Sequence, residues 1–124
     1  MSDFYALKQQ IVETAQKLVH KGYLMATGGN LSMRVVGQEA FGITPSNYDY
    51  MKMKPEDVCI LDFDLNVIEG ELKPSVESAM HGAVYQVRKD VNAIVHTHQV
   101  YTSALTLIKA PIPALFDEQT RFLG

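Results

Sequence analysis

Residues 93–98 read Ala-Ile-Val-His-Thr-His, an apolar run that closes on two histidines two positions apart. In a strand, alternate side chains share one face, so His96 and His98 project the same way. Their rings can then tilt toward one ion at the roughly 2.0–2.1 Å nitrogen distance that zinc prefers. Alanine, isoleucine and valine lead into the pair, so the rings are expected in a buried setting where each needs a polar partner. A metal would satisfy both at once; a structural pair would find separate partners. The His-x-His spacing alone leaves both readings open.

The chain around this strand is organised by clear start and stop signals. Ser2-Asp3 offers a helix N-cap, and Leu7, Ile11, Ala15, Leu18 and Val19 follow at helical spacing until Gly22. Thr27-Gly28-Gly29-Asn30 is a loop with two residues free to take positive φ. Residues 31–36 and 40–44 read as a hairpin about Gly37-Gln38. Thr44-Pro45-Ser46-Asn47 is a second loop, and Lys54-Pro55-Glu56-Asp57 turns the chain into a strand over 58–63. Asp64-Leu65-Asn66 turns it again into Val67-Ile68-Glu69.

Pro74 in a first-turn position predicts a helix to about Arg88, with Val76, Met80, Ala83, Val84 and Val87 as its buried stripe. After residues 93–98 come a short helix from about Tyr101 to Ile108 and Pro111-Ile112-Pro113, which leads into a last extended piece. Hairpin strands with helices before and after predict a mixed, mostly antiparallel sheet covered by helices.

Composition narrows the classes. The 124 residues make one domain, and 47% hydrophobic with 20% charged residues describes a folded globule rather than a disordered chain. Net charge is −3 and the 11 basic residues form no stripe, which argues against a nucleic-acid partner. Cys59 is the only cysteine, so no internal disulfide forms and a reducing compartment is expected. No apolar run approaches the roughly 20 residues that cross a bilayer. A cytoplasmic protein without a membrane partner is the expectation.

Chemistry-bearing residues gather in a few places. Glu77 and His81 lie four apart on the Pro74 helix, and Tyr85 extends the row, so this polar stripe faces either solvent or a cleft. Three loops, at Gly28-Gly29-Asn30, Ser46-Asn47 and Ser75, place small or amide-bearing residues at element junctions. Backbone amides in such turns and at helix N-termini bind anions without lysine. Ser75 is expected in the first helical turn, where amides lack intrahelical acceptors. Each loop by itself also fits ordinary turn chemistry.

Taken in order, Gly28-Gly29-Asn30-Leu31-Ser32, Thr44-Pro45-Ser46-Asn47, Lys73-Pro74-Ser75-Val76-Glu77 with His81, and His96-Thr97-His98 resemble the class II aldolase/adducin family. The resemblance implies a three-layer αβα sandwich with a central, mostly antiparallel sheet. It also implies a zinc-dependent enzyme (another divalent metal standing as the alternative), usually a homotetramer with sites where subunits meet. By position, His96 and His98 look like two of three zinc histidines. Glu77 looks like the catalytic carboxylate that also touches the metal, with raised proton affinity in a pocket closed from water. Gly29, Asn30, Ser46, Asn47 and Ser75 fall where the family cradles a substrate phosphate. The implied reaction is retro-aldol cleavage of a ketose 1-phosphate to dihydroxyacetone phosphate and an aldehyde. Glu rather than Asp at position 77 favours the aldolase branch over the ribulose-phosphate 4-epimerase branch. Decarboxylase and dehydratase relatives, and a non-catalytic adducin-like domain, are the alternatives.

Three departures from the family pattern stand out. Asn47 and Val76 replace a Gly and a second Ser of the phosphate loops, which keeps an unphosphorylated sugar or a sugar acid open as substrate. Ile112-Pro113-Ala114-Leu115 runs into Phe116-Asp117 where the aldolase branch places a tyrosine acid, implying a different aldehyde half. No histidine follows His98, so the family's third zinc ligand is missing. The 124 residues are therefore expected to be an N-terminal part of the domain, or a shortened form in which Glu77 becomes the third ligand. His81 is expected behind the ligands rather than among them.

Overall fold

Successive side chains of the first hairpin face two different helices, and that alternation builds the fold. The computed structural model describes residues 3–123. In it the hairpin at Gly37 joins β1 (Asn30–Arg34) to β2 (Ala40–Ile43). β3 (Cys59–Asp62) follows a 3-10 turn at Pro55–Asp57, and Asp64-Leu65-Asn66 turns it into β4 (Val67–Glu69). β5 (Ala93–His96) returns to pair with β1. The sheet order is β4-β3-β2-β1-β5, with every neighbouring pair antiparallel.

On one face lies α1 (Tyr5–His20), whose Ile11, Val12 and Ala15 pack with Leu31, Tyr50, Met53 and Val58. On the other lies α2 (Ser78–Val87), whose Tyr85 joins Phe41, Ile43, Cys59 and Leu61. Phe41, Phe63 and Tyr85 form an aromatic trio with ring centroids 5.5–6.3 Å apart. Each fully buried aromatic of this kind contributes about 2–3 kcal/mol by area. The three layers are therefore helix, antiparallel sheet, helix, as expected. Lys8 of α1 is buried and bonds Glu69 of β4 at 2.6 Å, tying the helix to the far sheet edge.

α1 stops as expected. Gly22 takes φ 77°, its amide bonds the Val19 carbonyl, and the Tyr23 amide reaches back to Leu18. Its start differs: the cap is Phe4, without a side-chain bond, and Ser2 lies outside the described residues.

α2 departs further from expectation, beginning at Ser78 rather than Pro74. Pro74 instead pairs with Pro45 as an isolated bridge, with the Ser46 amide bonding the Lys73 carbonyl and the Ser75 amide bonding that of Thr44. Ser75 thus lies beside this bridge, three residues ahead of the helix, and is not part of its first turn. The buried face is also the opposite one. Ser78, His81, Gly82 and Tyr85 face the sheet, while Val76, Met80, Ala83 and Val87 are exposed. The reason lies in β1, whose facing side chains are polar and take the polar stripe of α2 as partners.

The histidine strand is a sheet edge, with Ala93 and Val95 exposed, because among the described residues only β1 flanks it. α3 (Val100–Leu107) matches the expected short helix. The final extended piece is instead followed by α4 (Asp117–Leu123), which opens on two acidic residues and whose Gln119 side chain accepts from the Leu115 and Phe116 amides. Among the described residues no helix is long and apolar enough to cross a membrane.

Candidate metal centre

β1 and α2 each carry a polar column on the faces they turn toward one another. On β1 it is Asn30, Ser32 and Arg34; on α2 and its N-cap it is Glu77, His81 and Tyr85. Two strand residues advance about 6.8 Å and four helical residues about 6 Å, so the columns stay in step. At one end Arg34 donates to the carbonyls of Tyr85 (2.8 Å), Arg88 (2.9 Å) and Val91 (3.0 Å), closing the C-terminus of α2. In the middle, Ser32 Oγ lies 2.8 Å from the Tyr85 hydroxyl and 2.6 Å from His81 Nδ1. His81 Nε2 lies 2.5 Å from Asn30 Oδ1, and Asn30 Nδ2 donates to Glu77 Oε2.

β5 completes the arrangement. His96 sits opposite Asn30 across the β1–β5 pair, and opposed residues share a face. Its Nδ1 therefore reaches Glu77 Oε2 at 2.6 Å. His98 follows just beyond the strand, its ring edge-on to that of His96 with centroids 4.9 Å apart. One ligand atom from each of Glu77, His96 and His98 lies within 4.8 Å of the others. Two imidazoles and a carboxylate suit zinc or another divalent first-row ion. The three side chains fit such a group.

Burial and charge correct part of the expectation. The Glu77 and His96 side chains are 35% and 28% exposed and His98 is exposed, so the group opens to the surface. The Glu77 carboxyl is held below its usual range, chiefly by the Asn30 amide, with His96 and His98 adding to the effect against its partial burial. The expected rise in proton affinity is absent: hydrogen bonds to the charged form outweigh desolvation. Glu77 is a carboxylate, ready to bind a cation or accept a proton. His81, with no exposed surface, is the reverse case. Burial first, and the nearby His96 second, lower its pKa to about 4 despite Glu77, and it stays neutral.

The loops at Gly28-Gly29 and at Ser75 adjoin this group. Gly29 takes φ 77°, and a Cβ there would lie 2.5 Å from the His96 carbonyl oxygen and 2.6 Å from Leu24. The Tyr50 hydroxyl holds the same turn by donating to the Gly29 carbonyl at 2.6 Å. Gly29→Ala is therefore expected to cost about 1–3 kcal/mol of stability and to displace β5. Urea unfolding with an amide spectrum of residues 93–98 checks this; wild-type stability would refute it.

Asn47 takes φ 52°, the left-handed conformation that asparagine tolerates. Ser46 and Ser75 are brought together by the 44–46 and 73–75 pairing, and Ser75 Oγ accepts from the Glu77 amide at 3.3 Å. Val76 points outward, 77% exposed. The roles of Ser32 and Tyr50 were not legible from motifs. The signal for Ser32 was the polar period-two row on β1, matched to the period-four row on α2.

Residues 9–124 match the family described as the class II aldolase and adducin N-terminal domain. The chain belongs to the class II aldolase and adducin family. It is 42% identical over 108 residues to the 5-deoxy-D-ribulose 1-phosphate aldolase of Bacillus thuringiensis serovar kurstaki, covering 87% of this chain and 51% of that protein. It is 36% identical over 110 residues to a probable L-ribulose-5-phosphate 4-epimerase of Mycoplasma pneumoniae, covering 88% and 46%. A solved L-fuculose 1-phosphate aldolase superposes with a TM-score of 0.82 at 38% identity, covering 92% of this chain and 53% of that one. The chain spans about half the length of the curated relatives it matches.

Proposed function

We propose that this chain carries the metal site of a zinc-dependent aldolase that cleaves a ketose 1-phosphate into dihydroxyacetone phosphate and an aldehyde. The observation that carries the reading is the convergence of Glu77, His96 and His98 on one point at the mouth of the polar columns. A divalent cation bound there supplies Lewis-acid polarisation of a carbonyl oxygen. Retro-aldol cleavage then takes a proton from the β-hydroxyl, breaks the adjacent C–C bond and returns a proton to the nucleophilic carbon. We assign the proton transfer to Glu77, because it is held anionic and both hydrogen bonds to its carboxylate fall on Oε2. Among the described residues Oε1 carries none, which leaves it for the metal or the substrate.

For the substrate anion we assign Gly29, Asn30, Ser46, Asn47 and Ser75. Asn30 has prior commitments, with Oδ1 toward His81 and one amide hydrogen toward Glu77, so a single hydrogen is left for a ligand. A phosphate or a sugar carboxylate meets the same loops. The apolar residues left exposed on α2 and α3, among them Met80, Val87, Tyr101 and Leu107, support a homo-oligomeric, tetrameric assembly. The similarity to the epimerase supports a second reading, 4-epimerisation of a sugar phosphate by the same metal and carboxylate.

The test is turnover of ketose 1-phosphates by the zinc-loaded protein, read as release of dihydroxyacetone phosphate. Glu77→Gln is expected to lower kcat by about 10²–10⁴, the share a positioned proton carrier commands. Wild-type turnover in that variant would remove Glu77 from the reaction, and epimer formation without cleavage would favour the second reading.

A further inference from the structure

We infer that Tyr85, Ser32 and His81 form a one-way file of hydrogen bonds that fixes the Asn30 amide and, through it, the orientation of Glu77; Ser32 and His81 are positioning residues. This deepens the proposed role of Glu77 and rests on that reading for its link to the metal.

The direction of every bond follows from the carboxylate. Ionised Glu77 accepts only, so the Asn30 atom facing it must be the NH2 group. The Asn30 oxygen then faces His81 Nε2 at 2.5 Å, and Nε2 must carry the proton. His81 is fully buried and its two ring nitrogens meet only a hydroxyl and an amide oxygen, so no counter-charge offsets a buried imidazolium. The ring is neutral, Nδ1 is an acceptor, and the Ser32 hydroxyl, 2.6 Å away, donates to it. Ser32 Oγ in turn accepts from the Tyr85 hydroxyl at 2.8 Å. Ser32, His81 and Tyr85 are sealed from solvent, so water cannot replace a lost partner. Donors aligned head to tail polarise one another, which strengthens the last bond onto Glu77. A 180° turn of the Asn30 amide would set its oxygen against the carboxylate and its NH2 group against His81 Nε2–H, so both ends oppose that turn.

The test combines imidazole ¹⁵N spectra with zinc titration of the 124-residue chain. In the metal-free protein at pH 7.5, His81 is expected as the Nε2–H tautomer. Ser32→Ala removes a hydroxyl and little bulk; it is expected to weaken zinc binding and to let the Nδ1–H tautomer appear. His81→Phe is expected to weaken zinc by about 10–100-fold, the range for partners of metal ligands. His81→Gln, whose amide nitrogen sits where Nε2 does, is expected to restore most of that loss. His81→Asn keeps only the Ser32 side and is expected not to. An Nδ1–H tautomer or a charged His81 in the wild type would overturn the file, as would equal zinc affinity in all four variants. If the wild type takes up no zinc, the metal reading fails separately and the tautomer alone decides the file. Should His81→Phe not fold, Ser32→Ala and Tyr85→Phe carry the test.

Discussion

Replacing His96 or His98 with alanine is expected to weaken zinc binding by more than about 100-fold, beyond the 10–100-fold that supporting residues command. The three candidate ligands come from an edge strand, the loop just after it, and the residue that caps α2. None stands in for another. Loss of His96 also strips Glu77 of one of the two bonds on Oε2, leaving Asn30 alone to hold it. The fold should survive both changes, since neither ring belongs to a hydrophobic cluster and His98 is exposed. Calorimetric titration beside circular dichroism checks this. Affinity within a few-fold of wild type in either variant would show that the ion, if bound, lies elsewhere.

Metal-free protein is expected to lose about 3 kcal/mol of stability between pH 7 and pH 4 through His81 alone. Its pKa is about 4 when folded, against roughly 6.5 in an unfolded chain. Between those values the unfolded state binds more protons, so stability falls as pH falls. The contribution is whole above pH 6.5 and disappears progressively toward pH 4. Two neighbours act on the ring in opposite senses, His96 lowering its proton affinity and Glu77 raising it. Asp62 and Asp90, held low by Asn66 and Arg88, give way below this window. Urea unfolding at several pH values, wild type against His81→Gln, isolates the effect. The variant's profile should be flatter by that amount; parallel profiles would contradict a neutral, buried His81.

Turn chemistry and alternation were legible in the residues themselves. Gly22, Gly37 and the Asp64-Leu65-Asn66 turn each ended an element where expected, and β4 spans the three residues read as a strand. The ordered motifs also brought out Glu77, His96 and His98, which the structure places together.

What failed was the facing of α2. A stripe of valines, alanine and methionine is normally the buried one, yet here the opposing strand offers Asn30, Ser32 and Arg34. Those groups need hydrogen-bond partners more than they need methyl groups, and among the described residues no buried side-chain nitrogen or oxygen lacks one. Helical periodicity reports one element at a time; pairing two polar columns requires knowing which strand a helix covers. Pro74 misled for a related reason. Its fixed φ suits a first turn, but it also suits the extended bridge to Pro45 that a distant segment made available.

The most direct test of the central claim is X-ray absorption of the zinc-loaded chain at one equivalent of metal. Two imidazole nitrogens and a carboxylate oxygen at about 2.0–2.2 Å are expected, with the imidazole signal halved in His98→Ala. A shell of water oxygens without imidazole scattering would contradict the convergence of Glu77, His96 and His98 on one ion.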